Sequence, residues 1–546
     1  MASLRNPSRT PAGALSPPPA AVTLPPARRA RPPRALLALG LAIGAAAALP
    51  VIYLAITVGG SFDEAWETLW RERTSRLVLR SVGLAGAVTV ASLALALPLA
   101  WLTERTDLPG RRAWTVLTLL PLVIPSYIGA YLIVSALGPR GLLQDLLAGP
   151  FGVERLPSIY GFPGALLTLV LFTYPLALLT IRAAMSRLDP QLEEAARGMG
   201  RSGWQTYRSV VLPQLVPAIG ASGLLVALYV LHDFGAVSIL RFDSFTRVIY
   251  TAYGTGSRTS AAALASLLVV VMLAVLWLEG RARGSVAYHR SAPGTARPPA
   301  VVALGRWRWP ALAFCSVVVL LALLLPVAVL VYWSLQSVAG SPDWSGIAAG
   351  AGNSLIAAGL AAGVAALCAL PIGLLSVRFP GPASALAERA SYSGYALPGV
   401  VVALALVFFG TRAVPVLYQS LAMLVFAWVV LFLPQALGST RASLLQVSPR
   451  VEEAARAMGR GPVDVLRTIT TPLAASGVLA GAALVFLTAI KELPAALILA
   501  PIGFETLSTE IWSATSVGFF ERGAVPSLGL LLVSAPPLYL LTARGR

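Results

Sequence analysis

The sequence predicts an all-α transmembrane protein built as two parallel six-helix repeats. Three observations carry that expectation. Of the 546 residues, 57% are hydrophobic and only 12% charged, where a soluble protein carries about 25% charged residues. The apolar residues come in runs of about 20, the length that crosses roughly 30 Å of hydrocarbon. The second half of the chain repeats motifs of the first at nearly constant spacing.

Residues 1–34, rich in Pro, Ala and Arg, read as a disordered basic tail. The first apolar run, 35–58, is longer than the core of a signal peptide, so it is expected to remain as a span. Further runs fall at 78–103, 113–136, 161–181, 211–235 and 261–278. Residues 279–308 have the Arg-, Gly- and Pro-rich composition of a linker. A second set of runs follows at 309–334, 351–376, 393–411, 418–438, 472–498 and 524–542. The expected organisation is therefore a first transmembrane domain at 35–278 and a second at 309–546.

Net charge of +18 raises a nucleic-acid reading. The arginines instead lie in short segments between apolar runs, including Arg105, Arg111 and Arg112, the series Arg182–Arg208, and the series Arg441–Arg467. The positive-inside rule then places both termini and these segments in the cytoplasm. The segment 59–77 is the exception: it lies outside, yet carries Arg71, Arg73 and Arg76 among four acidic residues. Cys315 and Cys368 both sit in apolar runs and read as small buried hydrophobes, without disulfide or metal spacing.

The internal repeat is direct. LALALPLAWL at 93–102 matches ALCALPIGLL at 366–375, and TYPLALLTIRAAMSRLDPQLEEAARGMGR aligns with FLPQALGSTRASLLQVSPRVEEAARAMGR 259 residues later. Both halves start on the same side, so the repeat is parallel, and a path between equivalent halves is the expected arrangement.

The most informative segments are 193–213 and 452–472. In each, a proline (Pro190, Pro449) precedes paired acids, Glu193–Glu194 or Glu452–Glu453, near the positive end of a short helix. Alanines follow (Ala195, Ala196; Ala454, Ala455), then a glycine suited to a turn (Gly200, Gly459). A loop needing only positive charge would not repeat acidic, small and glycine positions in register, so a helix that docks on a partner is expected.

These segments resemble the EAA motif of ABC importer permeases, E-A-A-x-x-x-G followed nine residues later by I-x-L-P. The first copy supplies Glu194, Ala195, Ala196, Gly200, Val210, Leu212 and Pro213. The second supplies Glu453, Ala454, Ala455, Gly459, Ile469 and Pro472, with Thr471 in place of leucine. The resemblance implies the type I ABC importer architecture, with these segments as the helices that couple to ATPase subunits. It also implies two ATP-binding partner subunits, which would hold ATP and Mg, and a periplasmic solute-binding protein. The chain itself has no G-x-x-x-x-G-K-[ST] sequence, so neither cofactor nor ATP hydrolysis is expected of it.

The resemblance is nearest to the fused twelve-span permeases for ferric iron, with thiamine permeases related. It runs through LHDFGAVSILRFDSFTRVIYTAY at 231–253 and KELPAALILAPIGFETLSTEIW at 491–512. There His232–Asp233 aligns with Lys491–Glu492. Ionisable groups at membrane depth usually face a cavity or each other, so Asp233, Lys491 and Glu492 are candidates for a pathway or gate. The plain alternative places them in wet protein just outside the hydrocarbon. His232 and His289 do not by themselves make a metal site. Pro121, Pro125, Pro398 and Pro494 either bend helices near the path or are ordinary membrane-helix prolines. A secondary transporter driven by an ion gradient also has two parallel halves but needs no docking helices. Thiamine, phosphonate, sulfate and polyamine remain alternative substrates.

Overall fold

The computed structural model describes residues 32–139, 141–188, 190–282 and 301–543. The basic tail up to residue 31 and linker residues 283–300, with His289, lie outside them. The described residues form an all-α membrane fold. Nine of its helices are long and apolar enough to cross a bilayer, and two bent helix pairs raise the number to eleven.

The chain enters through α1 (Arg34–Gly59), makes the short α2 (Phe62–Trp70), and returns through α3 (Glu72–Arg105). The next crossing is broken: α4 (Arg111–Leu117), a 3-10 turn at Leu120–Val123, then α5 (Ser126–Leu137) and α6 (Leu142–Phe151). α7 (Phe162–Met185) leads to the short helices α8 (Pro190–Gly198) and α9 (Gly203–Thr206), a π turn at Tyr207–Val211, and α10 (Leu212–His232). Two short helices, α11 (Gly235–Ile239) and α12 (Phe245–Gly254), precede α13 (Arg258–Ala282).

A comparable series follows. α14 (Arg308–Val319) runs through a π turn into α15 (Leu325–Ala339), and α16 (Trp344–Arg378) returns. α17 (Pro382–Ser391), a 3-10 turn at Ser393–Ala396 and α18 (Gly399–Arg412) form the second broken crossing. α19 (Leu421–Gln446) is followed by α20 (Pro449–Ala457), α21 (Pro462–Val465), a π turn at Leu466–Thr470, and α22 (Thr471–Ala489). α23 (Pro494–Leu499), α24 (Leu507–Thr515) and α25 (Phe520–Ala543) complete the described chain.

Four of the expected runs are corrected. The runs 113–136 and 393–411 are not single helices, since their two parts bend by 98° and 109°. Pro121 opens the first 3-10 turn, and Pro125 and Pro398 sit at the N-caps of α5 and α18. Lacking an N–H and with φ restricted, proline fits such a start without losing a helical hydrogen bond. The runs 211–235 and 472–498 end early, at His232 and Ala489, because the chain breaks there and restarts as α11 and α23. Pro494 occupies the first turn of α23. The segment 59–77 is also ordered, as α2 and the first turns of α3.

α2 shows three sectors. Ala65 and Thr68 are buried, and Thr68 is tied to Ser260 Oγ at 3.3 Å and, through its carbonyl, to Thr74 Oγ1 at 2.6 Å. Phe62, Trp66 and Trp70, four residues apart, form an exposed ladder with ring centroids 5.8 and 5.5 Å apart. Asp63, Glu64 and Glu67 occupy the remaining exposed side. An apolar-aromatic stripe beside an acidic one suits a helix lying in the plane of the membrane interface.

The first helix of each series crosses to the other. α1 packs on α17 and α18, with Ser393 Oγ donating to the Ala47 carbonyl at 3.2 Å and Tyr53 edge-on to Phe409 at 5.1 Å. Gly44 matters here, since a Cβ on it would stand 3.0 Å from the Ala387 carbonyl oxygen. In return α15 touches α5, where Trp333 Nε1 donates to Ser135 Oγ at 2.5 Å. Within the second series, α16 lays a buried alanine stripe (Ala357, Ala358, Ala361, Ala365, Ala369) against α19 and α22. Small residues let membrane helices approach closely, where dispersion rather than water drives association.

Candidate functional site: two matched surface helices and a central crossing

α8 and α20 arise where the sequence places a helix-starting proline before acidic and alanine residues. Each ends because a glycine takes a left-handed conformation, φ +83° at Gly200 and +85° at Gly459. The amides of Arg201 and Arg460 close the turn on the carbonyls of Ala196 and Ala455, at 3.2 and 3.1 Å. A side chain with Cβ disfavours that geometry, which explains why both positions carry glycine.

The paired glutamates divide their work. Glu193 and Glu452 turn inward, Glu193 Oε1 lying 2.9 Å from Arg105 Nη1 and Glu452 Oε1 2.9 Å from Arg378 Nη2. These side chains are only 12% and 6% exposed. The arginines also reach the end of the preceding span. Arg105 Nη2 donates to the Met185 carbonyl at 3.0 Å, and Arg378 Nη2 to the Val447 carbonyl at 2.9 Å. Thr470 Oγ1 adds a 3.0 Å bond to Glu452 Oε1. Each arginine, at the C-terminal end of α3 or α16, thus fastens a short helix to the bundle.

Glu194 and Glu453 point the other way and are exposed, as are Ala195 and Ala454, while Ala196 and Ala455 are buried against the protein. Around the exposed acids stand Leu192, Met199 and Trp204 on one copy and Val451, Met458 and Val463 on the other, all largely exposed. The members of each pair are 259 residues apart. An exposed apolar set rimmed by charge marks an interaction surface. The apolar set escaped the sequence reading, as did the pinning role of the arginines. Arg105 and Arg378 had a signal, since they extend the 93–102/366–375 repeat by three residues at the same offset.

Pro213 and Pro472 lie in the first turns of α10 and α22, directly after the π turns Tyr207–Val211 and Leu466–Thr470. Proline removes one backbone hydrogen bond, and the wider π turn absorbs the disruption without ending the helix.

At the opposite ends of α10 and α22, the structure gives Asp233 and Glu492 a capping role. Asp233 Oδ1 accepts from the amides of Ala236 and Val237 at 3.0 and 3.3 Å. Glu492 accepts from Ala495 at 2.9 Å, and its Oε2 from Trp428 Nε1 at 2.8 Å. The carbonyls of the same two acids are held by Thr246 Oγ1 at 2.5 Å and Ser508 Oγ at 3.1 Å.

The residues preceding them approach the other series. Lys491 Nζ donates to the Val123 carbonyl in the first 3-10 turn at 2.8 Å, and the His232 ring, bonded through Nδ1 to the Leu228 carbonyl at 2.6 Å, lies near the backbone of Tyr395 in the second. Phe234 and Trp512 meet across the same region at 5.2 Å. Among the described residues, no three His, Cys, Asp or Glu side chains come together as a metal-binding group.

A multi-span helical protein with two matched surface helices pinned beneath its spans is a membrane permease that works through partners. The chain belongs to the family of binding-protein-dependent transport system inner membrane components, whose pattern matches residues 96–282 and again 367–543. It is therefore a multi-pass inner-membrane permease subunit of an ABC importer, in a family of transport subunits rather than enzymes. It is 34% identical to the Fe(3+)-transport system permease protein FbpB 2 of Haemophilus influenzae, over 94% of this chain and 98% of that protein. The ferric transport system permease protein FbpB of Actinobacillus pleuropneumoniae is 24% identical over 84% of this chain and 69% of its own length. The molybdenum transport system permease protein ModB of Escherichia coli is 29% identical and matches 38% of this chain over 92% of its own length.

Proposed function

We propose that the chain forms the whole translocation path of a ferric iron importer from two parallel six-span halves. α8 and α20 act as its two coupling helices, each seated on one ATP-binding subunit, and both termini lie on that cytoplasmic side. A periplasmic binding protein delivers the cargo on the other face. The observation that carries the coupling role is the division of each glutamate pair. One acid pins the helix to a spanning helix, so the short helix and the bundle move together, while its neighbour and an apolar rim remain free for a partner. Iron rests on similarity to ferric permeases along nearly the full chain.

The crossing at His232 and Lys491 fits a gate between the halves. Lys491 binds a 3-10 turn of the opposite half and His232 lies near the other, so parting the halves must release the Lys491 contact and separate His232 from that turn. Asp233 and Glu492 hold the short helices at the breaks and thereby position this gate. Alternating access follows: ATP-driven closure of the partner subunits moves α8 and α20, and the pinned spans turn the path outward.

The test is uptake in cells carrying the transporter, comparing labelled ferric iron, thiamine and molybdate. Ferric uptake that disappears in the Glu194→Ala, Glu453→Ala double variant supports both substrate and coupling. Uptake of another solute in place of iron discards the substrate. Undiminished ferric uptake in the variant discards the role of those two acids.

A further inference from the structure

Far from α8 along α3, a cleft of about 470 Å³ opens between α3, the start of α7 and the turn after α11. Arg80, Arg241 and Asp243 line its polar side, and Leu79, Gly83 and Phe162 its apolar side. Its charge is unbalanced. Asp243 is approached by Arg247 at 2.5 Å and by Arg80 at 3.5 Å. Arg241 has no carboxylate partner among the described residues and lies 5.0 Å above the Tyr160 ring. Two guanidinium groups therefore share the one carboxylate, and Arg241 on the same cleft adds a third positive charge that it does not balance.

The backbone singles out Arg241. It takes φ +53°, a left-handed conformation that a side chain disfavours by about 1 kcal/mol. Four residues before the next helix, the corresponding turn ahead of α24 places a glycine, Gly503, at φ +79°. Arginine is thus kept where glycine would fit better, which points to work done by its side chain.

Depth decides the kind of ligand. α3 has 34 residues and is about 51 Å long at about 1.5 Å per residue. Centred on the bilayer, it sets Arg80 about 13 Å from the midplane, near the edge of a hydrocarbon layer about 15 Å thick on each side. The α3 surface around the cleft is apolar and open: Leu79 is 74% exposed and Val90, farther along, 69%. Phe162 is also exposed at the matching end of α7. Arginines at headgroup depth above an open apolar wall complement an anionic phosphate carrying acyl chains.

We propose that this cleft binds the phosphate headgroup of an anionic phospholipid in the leaflet opposite α8 and α20. Arg80 and Arg241 hold the phosphate, and an acyl chain runs down the apolar wall of α3. The site also accounts for arginines on the side of the membrane where the positive-inside rule does not expect them.

The experiment uses the full permease with its ATP-binding subunit, extracted from vesicles of phosphatidylglycerol or of phosphatidylcholine with the same chains. Retained lipid is counted by native mass spectrometry. The wild type retains phosphatidylglycerol selectively, and Arg241→Gly and Arg80→Gln each lower that retention about tenfold. Arg241→Gly keeps the turn, because glycine prefers its conformation, so an unchanged melting temperature in phosphatidylcholine separates lost binding from misfolding. Equal retention of the two lipids, or equal retention by wild type and both variants, overturns the proposal. Inorganic phosphate that stabilises the protein as well as phosphatidylglycerol overturns the lipid as occupant. Lost docking of the binding protein with lipid retention unchanged assigns the face to a protein instead.

Discussion

Arg105 and Glu193 stand 2.9 Å apart beneath the spanning helices, and Arg378 and Glu452 repeat the contact at 2.9 Å. Both carboxylates are nearly buried, so each pair is a structural fastening and not a surface ornament. Removing one member of a buried pair leaves the other uncompensated, which costs about 3–5 kcal/mol where burial is complete.

Arg378→Ala should therefore release α20 from α16. The expected result is faster hydrogen exchange across residues 449–465 and ferric uptake lowered by about tenfold or more. Arg378→Lys keeps a charge but not the forked reach to both Glu452 and the Val447 carbonyl, and should recover only part of the loss. Exchange unchanged in the alanine variant would remove the pinning role.

Glu194→Ala with Glu453→Ala touches exposed side chains only, so stability should change by less than about 0.5 kcal/mol. Transport should nevertheless fall, because the loss lies in the partner contact. Met199→Asp with Met458→Asp, at equally exposed apolar positions, should weaken capture of the ATP-binding subunit by about tenfold or more. Pull-down from detergent measures this directly.

Gly459→Ala places a Cβ at φ +85° and should destabilise the end of α20 by about 1 kcal/mol. Gly459→Asn, a residue that tolerates the left-handed region, should lose less. Local exchange rates at Arg460 and Gly461 distinguish the two.

Lys491→Met removes the donor to the Val123 carbonyl while keeping most of the side-chain volume. With that crossing contact gone, hydrogen exchange across residues 120–123 should quicken relative to wild type, and ATP hydrolysis in the absence of binding protein should rise. A variant indistinguishable from wild type in both would leave the crossing without a gating role.

Glu510, on α24 outside the spanning helices, is raised from 4.5 to about 7 by burial first, then by Glu505 and Asp343. The folded protein then holds a proton that the unfolded chain releases between pH 4.5 and about 7. Stability should fall as pH rises through that window. Glu510→Gln should flatten the fall, as thermal unfolding at pH 5 and pH 8 would show.

Composition, apolar run length and the repeated EEAAR segments were enough to define a helical membrane permease with two matched short helices. Those properties are local: a span is legible because about 20 successive residues must satisfy the same hydrocarbon, and a glycine because its own φ demands it. Which of two adjacent glutamates faces inward was not legible, because Arg105 and Arg378 reach them across 88 and 74 positions of chain. The broken crossings were read as continuous, since hydropathy does not register a bend at Pro125 or Pro398 while apolar residues continue on both sides. Asp233 and Glu492 stood out by charge, but their capping of α11 and α23 required knowing where the backbone breaks. The contact of Lys491 with Val123 and the cleft at Arg241 belong wholly to tertiary structure. Each joins segments whose separation along the chain carries no energetic trace until the helices pack.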